Sequence, residues 1–113
     1  LVSCVQEEHL KTVTFTVDMR GVASVSEVGM KGEFTNPSWK VIVPLADQNN
    51  DGIYETTLSQ TTAVSNVEFK FVHNGVYELQ GQKNRTLRFE YKPETRTYTA
   101  VWNTPKENTN NNN

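Results

Sequence analysis

The 113-residue sequence has one cysteine and two histidines, and each shortage removes a class of chemistry. A single cysteine forms no intrachain disulfide, and Cys4, His9 and His73 do not make a zinc set of the usual spacing. Long apolar runs are missing too. No stretch approaches the roughly 20 residues that a membrane-spanning helix needs. There is no excess of positive charge: 11 Lys and Arg stand against 13 Asp and Glu, a net charge of -2. A chain without a basic footprint lacks what nucleic-acid binders use to neutralise phosphates, so no nucleic-acid partner is expected. No Ser or Cys stands beside a base in a recognisable motif, and the acidic residues are scattered over turns and outward strand positions. No catalytic residue, metal ligand or cofactor site is therefore assigned, and the chain reads as a non-enzyme.

What is present is the pattern of one small all-β domain, with 35% apolar and 10% aromatic residues. Strict alternation begins at Thr12, with Val13, Phe15, Val17 and Met19 on one face and Thr14, Thr16 and Asp18 on the other. Residues 66–73 repeat it: Val67, Phe69 and Phe71 face the core, so Glu68, Lys70 and Val72 face outward. Asn74-Gly75 is a hairpin turn. Residues 24–31, 86–91 and 96–102 read as further strands. Seven or eight short strands at turn spacings of about ten residues predict an antiparallel β-sandwich, immunoglobulin-like in architecture.

Residues 29–58 organise this pattern as two hairpin connections in a row. The first, 32–38, holds Pro37 and ends on Trp39, a large ring where the chain should run over the surface. The second, 47–52, is a polar run ending in Asp51-Gly52 between Val41-Ile42-Val43 and the alternating stretch that starts at Ile53. Asp47, Asn49, Asp51 and Gly52 imitate the start of an EF-hand calcium loop. The twelfth position is Leu58, where a bidentate Glu is required, so a turn without metal is expected.

The ends read differently. Leu1-Val2-Ser3-Cys4 resembles a bacterial lipobox, which implies acylation of Cys4, and Glu7-Glu8 resembles the surface-export signal of Bacteroidetes lipoproteins. The expectation is an outer-membrane lipoprotein whose only membrane link is that anchor, with residues 1–11 as lipobox remnant and tether. The other reading of Cys4 is an idle or buried thiol. Residues 104–113, almost all Asn, Thr, Lys and Glu, predict a disordered tail or a linker toward further domains or envelope proteins.

Three segments in order carry a resemblance. They are Gly32-Glu33-Phe34 with Trp39, Pro44-Leu45 and Asp51-Gly52-Ile53-Tyr54-Glu55; then Glu68-Phe69-Lys70-Phe71; then Asn74-Gly75-Val76-Tyr77 with Asn84-Arg85. Over residues 12–103 the chain resembles the starch-binding domains of carbohydrate-binding module families 20 and 48, including the glycogen-binding domain of the AMP-activated kinase. The resemblance implies a starch-binding-type sandwich that holds α-glucan, polysaccharide or oligosaccharide, on Trp39 and Tyr77, with Lys70 and Asn84 bonding sugar hydroxyls. The chemistry suits those residue types, because a glucose ring offers a C–H face to stack and a rim of hydroxyls to bond. From the residues alone other roles stay open. Trp39 also reads as a core or hairpin-packing residue, Tyr77 as a cross-strand partner, Lys70 as a solvated strand residue and Asn84 as a turn residue, while Trp102 reads as core. The alternative function is a structural or protein-interaction sandwich of a cell-envelope assembly with no working sugar site.

Overall fold

Alternation builds the first strand as expected from Thr12 onward, but the strand starts three residues earlier, at His9, within the stretch read as tether. In β1 (His9–Asp18) Val13, Phe15 and Val17 are buried, while Thr12, Thr14 and Thr16 are half-buried between them. Burying each such apolar side chain is worth about 1.5–3 kcal/mol. The computed structural model describes residues 7–105 and 107–111, so Cys4 lies outside the described residues. Eight more strands follow among them: β2 (Val28–Gly32), β3 (Val43–Pro44), β4 (Ile53–Thr62), β5 (Asn66–His73), β6 (Val76–Tyr77), β7 (Arg85–Arg88), β8 (Glu94–Val101) and β9 (Glu107–Asn111). One sheet runs in the order β4-β1-β8-β9. The other runs β3-β2-β5-β6, with β7 also paired to β5. The two sheets form a sandwich whose core joins Val13, Phe15, Val17 and Tyr98 from the first to Met30, Phe69, Phe71 and Leu87 from the second. Phe69 is the hub, edge-on to Phe15 at 5.1 Å and to Tyr98 at 4.9 Å, a favoured aromatic geometry.

Four features differ from the sequence expectation. The sandwich is not wholly antiparallel, because β1 and β8 run parallel from Lys11 opposite Glu94 to Asp18 opposite Val101. Alternation fixes which face a side chain takes and says nothing of strand direction. Within the stretch read as a disordered tail, Glu107–Asn111 pairs antiparallel with β8. Backbone groups along an open edge need partners whatever the side chains beside them, and an Asn-rich segment supplies these as well as any other. The Val41-Ile42-Val43 run yields only the two-residue β3, and Val41 and Ile42 stay exposed. Lys70 and Val72, both read as outward, are buried at 9% and 1% exposure.

The two turns hold as expected. Asn74 and Gly75 have φ of 53° and 78°, the doubly left-handed turn that suits a tight hairpin. The 47–52 loop is closed by its own carboxylate. Asp47 accepts the N–H of Asp51 at 3.1 Å and that of Gly52 at 2.8 Å, above a two-bond bridge between Ala46 and Glu55.

At the end where β1 starts, Lys11 is 4% exposed, and its ammonium donates to the carbonyls of Glu90 (2.6 Å) and Lys92 and to the Glu94 carboxylate (2.8 Å). Burial raises the Glu94 pKa. The bonds from Lys11 and the Glu90 N–H outweigh it, with Arg96 adding to them, so the group lies below the ordinary glutamate value of 4.5. A carboxylate whose folded pKa is depressed adds stability above its unfolded value and loses it as pH falls through the folded one. The melting temperature should therefore decline as pH drops below about 4.5. Glu94→Gln should be less stable at pH 7 and show a shallower decline in acid. Thermal melts from pH 7 to 3 check this, and parallel curves for the two proteins would remove Glu94 as the source.

Candidate functional site

A shallow groove on the outer face of the second sheet is lined by Trp39, Lys70, Tyr77, Gln80, Gly81 and Asn84. All four residues that the sequence resemblance singled out meet here, beside two that it did not.

Trp39 reaches the groove because the chain doubles back after β2. Its N–H donates to the Gly32 carbonyl at 2.9 Å, and the Thr35 hydroxyl spans the loop to the Pro37 carbonyl at 3.0 Å. Only glycine fits at position 32, since a Cβ there would lie 2.5 Å from both the Glu68 carbonyl oxygen and the Phe69 Cβ. Trp39 itself has φ of 65°. A bulky side chain seldom takes that left-handed conformation, and residues held in it cluster at binding sites. The ring is half-buried and lies 6.2 Å from Tyr77, at 61° to it. Lys31 places its ammonium 5.5 Å from the Tyr77 ring centre, an interaction worth about 0.5–1 kcal/mol at an exposed site.

Strand parity does put Lys70 on the outer face, yet the segment after β6 folds over it. The ammonium donates to the carbonyls of Leu79 at 2.8 Å and Gln82 at 3.1 Å. An ammonium carries three donors, so this leaves one for a ligand. Asn84 is exposed, and its amide NH₂ donates to the Glu68 carboxylate at 2.9 Å. Its carbonyl oxygen and second N–H are left to bond hydroxyls. Trp102 is not part of the groove; it packs against the core and meets His73 edge-on at 5.8 Å.

Beneath the groove is a charged pair that sequence reasoning passed over. Glu78 and Arg85, both fully buried, join in a two-pronged bridge of 2.6 and 2.9 Å. Glu78 also accepts the N–H groups of Phe71 at 2.9 Å and Asn103 at 3.0 Å. Arg85 also donates to the carbonyls of Val101 at 3.1 Å and Thr104 at 2.7 Å, and to the Tyr98 hydroxyl at 3.4 Å. Burial alone lowers the Arg85 pKa, but the Glu78 carboxylate more than offsets it and holds the guanidinium charged. The signal available in the sequence was positional: each ion directly follows a groove residue, in Tyr77-Glu78 and Asn84-Arg85.

Among the described residues no cluster of three or more His, Cys, Asp or Glu side chains is placed to hold a metal ion. The molecule is thus an all-β sandwich carrying an aromatic-walled groove on one outer face. Its fold is similar to the solution structures of two modules of the beta/alpha-amylase from Paenibacillus polymyxa. CBM25-1 matches with a TM-score of 0.54 and 17% identity over 92% of this chain and 94% of that one. CBM25-2 matches with 0.53 and 17% over 93% and 95%. No protein-family model and no curated protein matches the sequence.

Proposed function

We propose that the domain is a noncatalytic module that binds α-glucan of the starch or glycogen type in the groove of Trp39, Lys70, Tyr77 and Asn84. The observation that carries this reading is that two aromatic rings, an ammonium and an amide line one open groove, with the tryptophan held in a strained backbone conformation. Stacking on the C–H face of a sugar and bonding to its hydroxyls require this mixture. The inclination of 61° between the rings suits an α-1,4 chain, whose successive glucose faces turn as it winds, better than a flat β-1,4 chain. The likeness in fold to modules of an amylase supports the same reading.

Affinity should be modest. Two rings supply on the order of 1 kcal/mol each beyond burial, and ordering a flexible oligosaccharide offsets part of that. Titration calorimetry with maltoheptaose should give a dissociation constant between about 10 μM and 1 mM, and cellohexaose should give much less heat. No heat at millimolar maltoheptaose would remove the reading.

A further inference from the structure

Three of the four side chains proposed to hold glucan depend on the segment between β6 and β7. Tyr77 directly precedes Glu78, Asn84 directly precedes Arg85, and Lys70 is anchored on the carbonyls of Leu79 and Gln82 between them. The buried Glu78–Arg85 bridge closes this segment at its base. At its turn, Leu79 holds a left-handed φ of 51°, costly for a leucine. Its N–H is held by the side-chain carbonyl of Asn103 at 2.7 Å, and the Asn103 N–H returns to the Glu78 carboxylate at 3.0 Å. Asn103 itself sits just past β8, with φ of 60°.

We infer that Asn103, together with the Glu78–Arg85 bridge, is a positioning residue for glucan, setting the Lys70 ammonium through the Leu79 carbonyl. The inference rests on the glucan reading above and deepens it. Asn103 does not line the groove; it fixes Leu79, and Leu79 fixes the ammonium. The chain leaving β8 thereby controls the donor that a sugar meets.

The test is calorimetry with maltoheptaose on the full chain. Asn103→Gly removes the side-chain acceptor and keeps the left-handed backbone that glycine adopts freely, so folding should survive, as thermal melts will verify. Its dissociation constant should rise about fivefold, the equivalent of one ordinary hydrogen bond. Asn103→Asp, which keeps an acceptor oxygen at the same place, should bind within about twofold of wild type. The decisive comparison is made in a Lys70→Ala background. If Asn103 acts through Lys70, Asn103→Gly should there cost less than about twofold more. An unchanged dissociation constant for Asn103→Gly in the wild-type background overturns the inference, as does an equal loss in both backgrounds. A wild-type protein that binds no maltoheptaose removes the glucan reading and this inference with it, a result separate from wild-type binding without Asn103 dependence.

Discussion

Arg85→Ala is expected to lower the melting temperature by roughly 15–25 °C, the consequence of losing about 3–5 kcal/mol. The cost comes from what stays behind. Glu78 would keep its buried carboxylate, with the N–H groups of Phe71 and Asn103 but without the two guanidinium bonds at 2.6 and 2.9 Å. The Tyr98 hydroxyl and the carbonyls of Val101 and Thr104 would lose a donor as well. An unpaired buried charge is far more costly than the absence of the pair. Replacing both partners with apolar residues, Glu78→Leu with Arg85→Met, should therefore recover only part of the stability, because the unpaired charge is gone while the N–H groups of Phe71 and Asn103 and the carbonyls of Val101 and Thr104 still lack partners. Calorimetric melts of the single and double variants measure both quantities. A drop of less than about 5 °C for Arg85→Ala would mean that water reaches the carboxylate and that the pair is not closed off as described.

Trp39→Gly is expected to raise the dissociation constant for maltoheptaose by at least about tenfold while leaving the melting temperature within a few degrees of wild type. Removing the ring takes away one wall of the groove. The backbone at this position has φ of 65°, a conformation that glycine adopts without strain. Relief of that strain offsets the missing ring packing against Tyr77, and the bond from residue 39 to the Gly32 carbonyl needs no side chain. Stability and binding would then part company, as they do where a side chain is held in place for a ligand and not for the fold. Wild-type affinity in this variant would take Trp39 out of the site. A fall of more than about 10 °C would assign the ring to packing.

Particular residues show how far the sequence could be read. Val13, Phe15 and Val17 announced β1, and Asn74-Gly75 announced its turn, because period-two alternation and left-handed turn chemistry are local. Trp39, Tyr77, Lys70 and Asn84 could be picked out by order and residue type, and they do line one groove. Their setting was not legible. Lys70 sits under its own neighbours because residues 79–82 fold back across the sheet face, a tertiary event with no periodic signature. Glu78 and Arg85 are charged residues in a polar stretch, where pattern reading assumes solvent, whereas burial depends on each finding the other. The strand at Glu107–Asn111 pairs its backbone with β8, and side-chain pattern is blind to such pairing.

The parallel pairing of β1 with β8 bears on how the molecule assembles as it is made. Lys11 lies opposite Glu94 and Asp18 opposite Val101, so β1, an inner strand of the first sheet, waits for one of its two partners about eighty residues downstream. Until β8 has been synthesised, β1 can pair only with β4, and the Lys11 ammonium has no Glu94 to receive it. Closing so long a loop costs entropy before any native pairing offsets it, which places folding in the slow range of milliseconds to seconds typical of sheet proteins. A chain halted on the ribosome before residue 94 would keep one edge of β1 open, and an open strand edge invites pairing with neighbouring chains.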